Sequence, residues 1–214
     1  AICAKLGWIT GYPDGTFRPN ASVTRAEFAA IASRFEKLTQ GSKSFADVPD
    51  TYWAARYINF AATRGWVTGY SDGTFKPENT ITRAEVAAIV YRIYTTDVKD
   101  TYVKNYETYN KFSDMAGAGW AKGYIGYCAN AALVKGYPNG TFQPSGKVTG
   151  YEVLTMILRA IGYDKNNEFS GADWSLHVAQ TAQQAGVLKN VKGIGEAKLE
   201  GFRAQITFTE EDGD

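Results

Sequence analysis

Two arginines occupy the setting in this sequence that best suits binding chemistry. Arg25 and Arg83 each follow a threonine, in the segments Thr24-Arg-Ala-Glu27 and Thr82-Arg-Ala-Glu85. In such a segment the threonine can cap a helix, and the glutamate at the third helical position can reach back, which makes a capping box. A capping box needs no arginine. Each arginine is therefore either a solvated surface charge or an anion ligand, since a guanidinium beside a helix N-terminus suits a carboxylate.

A third segment shows that the cap can occur without the arginine. Thr149-Gly-Tyr-Glu152 keeps the threonine and the glutamate but has a glycine at the arginine position. We therefore assign the threonines and glutamates to structure and leave both roles open for the arginines. A tight turn precedes each segment, and the three turns are Tyr12-Pro-Asp-Gly15, Ser71-Asp-Gly73 and Pro138-Asn-Gly140.

These segments are parts of a repeat. Residues 10–31 and 68–89 agree at 15 of 22 positions, and the turn recurs after 58 and then 67 residues. Recurrence at this scale indicates stacked supersecondary units. Behind each cap, apolar residues follow helical spacing, which predicts a first capped helix from Arg25 to about Leu38.

A second type of helix leads into each turn. In its complete form it begins near Trp53, Asp50 or Thr51 can cap it, and Gly65 ends it. The side chains expected to face inward are Trp53, Tyr57, Ile58 and Ala61. Between the second and third repeats, residues 95–111 form an insertion, which is either a longer surface loop or an added contact surface. Three arginines late in the capped helices are expected to cap carbonyls or to lie on a solvated face: Arg34, Arg92 and Arg159.

The pattern GYxDGTFxP followed by [VI]TRAE, preceded by a Trp-led helix, resembles the S-layer homology (SLH) family. The resemblance covers most of residues 1–190. It implies a mainly α fold in which three tandem repeats pack as a pseudo-threefold helical bundle. It also implies a module that anchors proteins to the bacterial cell wall by binding secondary wall polysaccharide, often pyruvylated, in grooves between repeats.

The repeats can be placed along the chain from this pattern. Repeat 1 covers residues 1–38 with a truncated leading helix, repeat 2 covers 45–98 and repeat 3 covers 112–163. A partial fourth unit follows at 169–190. Residues 191–214 form a C-terminal extension, in which Phe202, Ala204, Ile206 and Phe208 alternate with polar residues as in a strand.

Composition narrows the function classes. The net charge is +1 and no basic run occurs, which disfavours nucleic acid as a partner. No apolar run approaches the roughly 20 residues that span a bilayer. The single histidine, His177, has no second ligand at metal spacing. Cys3 and Cys128 have the same position in their repeats and are interpreted as small core residues, with a disulfide bridge between them as the alternative. We therefore expect no metal, no cofactor and no enzymatic activity.

The first functional hypothesis is a non-catalytic wall anchor. In this hypothesis, which combines the resemblance with the arginines, each guanidinium binds a carboxylate of an anionic wall polysaccharide at the cell surface. The resemblance implies that this polysaccharide is pyruvylated. The candidate carbohydrate-binding residues are Arg25, Arg83, Trp8, Tyr12, Asp14, Trp66, Tyr70 and Asp72. The aromatic rings would pack on sugars, and the aspartates would accept sugar hydroxyls or hold the turns.

The second hypothesis is a structural subunit of an extracellular layer or filament. The sequence opens in mid-repeat and carries a leading helix without its loop near the end. Either the ends simply cut across repeat boundaries, or the halves meet. Halves that meet within one chain close a ring, and halves that meet between chains give head-to-tail polymers, to which the C-terminal strand would add a contact. Copies of the chain itself are therefore a second expected partner.

Overall fold

The computed structural model describes residues 18–33, 37–109 and 111–185. Within these ranges the chain is mainly helical, and its β-structure consists of isolated antiparallel bridges. The α-helices are α1 (Arg25–Ala32), α2 (Ala55–Thr63), α3 (Arg83–Thr95), α4 (Lys122–Asn130), α5 (Gly150–Ala160) and α6 (Trp174–Gln184). Two 3-10 helices span Val103–Tyr106 and Met115–Ala121. The predicted C-terminal strand lies outside the described residues.

The capped helices α1, α3 and α5 begin where the sequence predicts. Thr24, Thr82 and Thr149 each accept a hydrogen bond from the N–H of the glutamate three residues on, and that glutamate accepts one from the N–H of its threonine. All three capping boxes are therefore confirmed. The end of α1 was predicted wrongly: it falls at Ala32, where the next hydroxyl, on Ser33, bonds the Ala30 carbonyl at 2.8 Å.

The start of α2 differs from the prediction. The helix begins at Ala55, and neither Asp50 nor Thr51 caps it, because the chain turns before the helix. The N–H of Tyr52 bonds the Pro49 carbonyl at 2.8 Å in that turn. Trp53 therefore lies ahead of the helix and is 56% exposed, contrary to expectation. The core positions Ile58 and Ala61 and the glycine stop at Gly65, with φ of +74°, are confirmed.

Each capped helix starts against the loop of another repeat. The N–H of Arg25 donates to the Asn79 carbonyl at 2.8 Å, and the N–H of Arg83 donates to the Gly146 carbonyl at 2.9 Å. The N–H of Gly150 in turn donates to the carbonyl of Ala21 at 3.2 Å. The contacts thus run from the first repeat to the second, from the second to the third, and from the third to the first.

The leading helices cover these capped helices. α2 packs on α1, α4 on α3 and α6 on α5, so each leading helix lies against the capped helix of the preceding repeat. The side chains between them are apolar and buried, and the larger ones, such as Ile58 and Phe60, each stabilise the fold by roughly 1.5–3 kcal/mol. Cys128 is one of them, a free thiol whose Sγ donates to the Ala87 carbonyl at 3.4 Å. Its assignment to the core is confirmed.

The insertion at residues 95–111 is packed onto the third repeat. Its 3-10 helix lies against α4, and Val103 is buried there. A Cβ on Gly123 would lie 2.3 Å from the Val103 carbonyl oxygen, and one on Gly126 would lie 2.4 Å from that of Tyr106. Both glycines thus allow the insertion to approach the helix closely, so the insertion makes an intramolecular contact surface.

Candidate functional site

A cleft of about 670 Å³ lies where the three repeats meet. Its charged lining residues are Arg25 from the first repeat and Glu85 and Arg92 from the second. Residues from the third repeat, including Gly119 and Trp120, line it as well. The other lining residues used below are Trp66, Thr68, Tyr70, Phe75, Ala84 and Ala88. We call this space the Arg25 cleft.

Arg25 is buried, and each nitrogen of its guanidinium binds the second repeat. Nε donates to the Phe75 carbonyl at 2.8 Å, Nη2 donates to the Thr68 carbonyl at 2.9 Å, and Nη1 forms an ion pair with Glu85. The guanidinium also lies over the rings of Tyr70 and Phe75, at 4.9 and 4.5 Å from their centroids. These hydrogen bonds use three of its five N–H donors.

Arg83 repeats this arrangement one repeat further on. Nε donates to the Phe142 carbonyl at 2.8 Å, Nη2 to the Lys135 carbonyl at 3.0 Å and Nη1 to Glu152 at 2.7 Å. The hydroxyl of Tyr137 donates to the same glutamate oxygen at 2.6 Å, and burial together with this bond raises the pKa of Tyr137 to about 12. The structure therefore brings each predicted arginine into an ion pair between repeats. Neither is a solvated surface charge.

The backbone at the helix starts is also occupied. The first two N–H groups of α3, on Arg83 and Ala84, donate to carbonyls of the third repeat at 2.9 and 3.0 Å. The next two donate to the capping residue Thr82. α1 follows the same pattern. These termini hold the repeats together, so an anion in the cleft gains the field of the helix rather than its N–H donors.

The two aromatic candidates of the second repeat differ in exposure. Trp66 is 4% exposed and packs edge-on against Phe60, with ring centroids 5.7 Å apart. Tyr70 is 39% exposed and lines the cleft beneath the Arg25 guanidinium. Of the two, only Tyr70 is exposed enough to contact a ligand, and Nζ of Lys76 also lies over its ring, 4.3 Å from the centroid.

Asp72 holds its turn. Its carboxylate accepts hydrogen bonds from the N–H and the hydroxyl of Thr74 at 3.0 and 2.6 Å, and Lys76 lies 3.3 Å away. The Thr74 hydroxyl, with the N–H and Lys76, lowers the pKa of Asp72 to about 2. Asn139 accepts the same pair of bonds from Thr141 in the third repeat. Trp8, Tyr12 and Asp14 lie outside the described residues.

Two cleft residues were missed by the sequence-based candidates. Trp120 stands 62% exposed at the cleft, ahead of α4, and its ring centroid lies 5.7 Å from that of Tyr124. Arg92 binds both oxygens of Asp100 through Nε and Nη2, at 2.9 and 2.8 Å. The expectation that Arg92 caps carbonyls or lies on a solvated face was therefore wrong. The recurrence of tryptophan at positions 53 and 120 was the available signal for Trp120.

Within residues 18–33, 37–109 and 111–185, no three His, Cys, Asp or Glu side chains are grouped so as to hold a metal ion. His177 Nδ1 lies 2.9 Å from the Glu168 carbonyl oxygen. Among the helices of this part of the chain, none has the length and apolar character of a membrane span.

Comparison with known families decides the identity of the repeats. A model of the S-layer homology domain matches residues 1–29, 44–87 and 111–154, which together make up more than half of the chain. The chain belongs to the S-layer homology family. The Arg25 cleft is thus formed by three SLH repeats, and both arginines lie within the matched segments.

Named relatives agree with this membership. Cell surface glycoprotein 1 of Acetivibrio thermocellus is 38% identical over 72% of this chain and 7% of its own length. The cellulosome-anchoring protein of the same organism is 33% identical over 72% of this chain and 35% of its length. A surface layer protein of Brevibacillus choshinensis is 30% identical over 66% of this chain and 12% of its length. The chain thus spans about a third or less of these relatives.

Membership in the SLH family indicates an anchoring role at the bacterial cell surface. It also indicates an extracellular location, at the cell wall or S-layer.

Proposed function

We propose that these SLH repeats are a non-catalytic wall anchor that binds an anionic secondary wall polysaccharide in the Arg25 cleft. The ligand group would be a carboxylate, as on a pyruvyl ketal or a uronate. The observation that carries the proposal is the cleft itself, because it joins three repeats, is large enough for a sugar residue and combines guanidinium groups with an exposed tryptophan.

The hydrogen-bond donors of the cleft support a ligand with a carboxylate. Two guanidinium groups, of Arg25 and Arg92, line it. Each is paired with one carboxylate of the protein, Glu85 for Arg25 and Asp100 for Arg92, so the support comes from the donors that these pairs leave over. In the part of the chain that the structure describes, Nη1 of Arg92 makes no hydrogen bond, so two N–H donors remain for a ligand.

The role of Arg25 differs from simple bidentate pairing with the ligand. Three of its donors serve the second repeat, so at most two can serve a ligand carboxylate. Arg25 then contributes charge and position, and Arg92 contributes the more available donors. Trp120 contributes a largely exposed ring, on which the apolar face of a sugar can pack, and Tyr70 contributes its exposed part as a further contact.

We propose that the repeats surround a pseudo-threefold axis. The support is the cyclic set of helix-start contacts, in which each capped helix donates to the loop of one other repeat. The three isolated bridges follow the same circuit, linking Ser22 to Thr149, Thr24 to Thr80 and Thr82 to Lys147. This arrangement would create one cleft at each junction between repeats.

The alternative of head-to-tail assembly has less support. It requires the leading helix of the fourth unit to pack against another copy of the chain. That helix, α6, packs on α5 of its own chain. We therefore rank polysaccharide binding first.

The test is calorimetric titration of purified secondary wall polysaccharide into the full chain and into Trp120→Ala. Trp120 is largely exposed, so its removal leaves the core intact. We expect about a tenfold loss of affinity, or ~1.4 kcal/mol. Tyr94→Ala is the control, since Tyr94 is 48% exposed and does not line the cleft. Equal affinities for all three proteins would overturn the proposal.

A further inference from the structure

The junction around Arg83 has the same ion pair and the same tryptophan position as the Arg25 cleft. Arg83 pairs with Glu152 there as Arg25 pairs with Glu85. Trp174 stands at the start of α6, twelve residues before Gly186, as Trp53 stands twelve residues before Gly65. Trp120 has the equivalent position at the start of the third repeat, twelve residues before Ala132, which has a positive φ of 57° like that of Gly65. A second cleft, lined by Arg83 and Trp174, is therefore expected from the repeat.

One residue differs between the two junctions at the position that we call the floor, which Ala84 occupies in the Arg25 cleft. Ala84 lines the Arg25 cleft, and its N–H donates to the Pro144 carbonyl at 3.0 Å. The equivalent residue in the third repeat is Tyr151, whose N–H donates to the Pro19 carbonyl at 3.1 Å. The matching backbone contacts give both residues the same place in their junctions. A phenol ring thus replaces a methyl group at the floor.

The ring of Tyr151 packs against Trp174, which stands at the position that Trp120 has at the Arg25 cleft. Its centroid lies 6.0 Å from that of Trp174, with the planes at 70°. Both side chains are half-buried and pack against the core, whereas the equivalent Trp120 is 62% exposed beside Ala84. The contact that a sugar would make with Trp120 in the Arg25 cleft is made here by Tyr151 with Trp174.

A second side chain differs between the two junctions. Thr68 lines the Arg25 cleft, and the equivalent residue in the third repeat is Lys135. Its ammonium group is directed to Asp164 at 2.8 Å and to Asn167 at 2.6 Å. A small side chain is thus exchanged for a long one that is fixed by an ion pair.

We propose that Tyr151 is a built-in plug that closes the cleft beside Arg83, so that ligand enters the Arg25 cleft and is excluded from this one. The inference depends on the proposed function, in which clefts of this kind bind wall polysaccharide. It makes Tyr151 the residue that sets how many binding sites the repeats offer.

The experiment is to count sites by calorimetry in the full chain and in Tyr151→Ala, with purified secondary wall polysaccharide as the probe. We expect the number of sites per chain to rise by one in the variant. Trp174→Ala is the matched control, since it breaks the same ring contact but leaves the phenol on the floor, and it should gain no site. An unchanged number in Tyr151→Ala, or a gain in Trp174→Ala, overturns the plug.

Failure of the proposed function gives a different result. If the natural chain binds no polysaccharide, the anchor proposal falls, and the plug is then judged by a crystal structure of Tyr151→Ala. An open cleft between Arg83 and Trp174 supports the plug. A junction that stays closed by other side chains contradicts it.

Discussion

Arg83 donates from Nη1 to Oε1 of Glu152 at 2.7 Å, although the two residues are 69 positions apart. The other oxygen of Glu152 accepts the N–H of Thr149 at 2.9 Å and so closes the capping box of α5. One carboxylate thus caps its own helix and binds the arginine of the preceding repeat. Arg25 and Glu85 form the same relationship one repeat earlier. The arginine of this motif therefore links its repeat to the next one by an ion pair, and we call this link the clasp.

Replacing Arg83 by alanine should destabilise the fold strongly. The side chains of Arg83 and Glu152 are 4% and 16% exposed, and removal of one partner leaves a buried charge unpaired. We expect a loss of about 3 kcal/mol in the free energy of unfolding, measured in urea. Arg56→Ala is the control, because Arg56 is exposed and should change stability by less than about 0.5 kcal/mol. Equal effects of the two variants would exclude the clasp.

The close approach of the insertion to α4 predicts a clash at Gly126. An alanine Cβ there would lie 2.4 Å from a backbone oxygen of Tyr106, which cannot move like the end of a flexible side chain. We expect Gly126→Ala to lower stability by about 1–3 kcal/mol in thermal or urea unfolding. Gly117→Ala is the matched control, since its Cβ would contact nothing within 4 Å. A stable Gly126→Ala would mean that the insertion does not pack on the helix.

The hydrogen bonds that Asp164 accepts should make the free energy of unfolding depend on pH. Burial raises the pKa of Asp164, but hydrogen bonds from Lys135, the Phe169 N–H and Arg159 outweigh it and hold the pKa below its ordinary value. A depressed folded-state pKa stabilises the fold fully above the unfolded value of about 3.9, and this contribution is lost as pH falls through the folded value.

The measurement compares the natural chain with Asp164→Asn. At pH 7 the variant should be less stable by about 2 kcal/mol, because hydrogen bonds to a charged group are lost. The difference should shrink as pH falls below about 3.9. A difference that is constant from pH 7 to pH 3 would show that the charge of Asp164 contributes nothing.

The anionic character of the ligand can be tested on the ligand itself. Reduction of its carboxyl groups to alcohols leaves the sugar rings in place but removes the charge that Arg25 and Arg92 would bind. We expect the reduced polysaccharide to bind at least about tenfold more weakly, or ~1.4 kcal/mol, in calorimetry. The affinity of the untreated ligand should also fall as salt rises. Unchanged binding after reduction would exclude a carboxylate contact.

The helix starts could be predicted because their cause is local. A threonine and a glutamate three residues apart satisfy each other's backbone, whatever lies around them. The start of α2 could not be predicted in this way, because the turn at residues 49–52 competes with the potential caps Asp50 and Thr51. Trp53 was placed on the wrong side of its helix for the same reason.

The cleft was less accessible to prediction than the fold. The pattern identified Arg25 and Tyr70 as site residues, and both line the cleft, but nothing local shows that Glu85 from another repeat binds the guanidinium. Arg92 was likewise judged from its place in the helix, whereas its partner Asp100 comes from the insertion. Contacts between repeats decide these roles, and one repeat read by itself does not contain them.

The most direct test of the anchor proposal is a crystal structure of the full chain with an oligosaccharide from the secondary wall polysaccharide. We expect a sugar residue in the Arg25 cleft, with its ring against Tyr70 or Trp120 and its carboxylate within about 3 Å of a guanidinium nitrogen of Arg25 or Arg92. An oligosaccharide bound at another surface, with the Arg25 cleft empty, would contradict it.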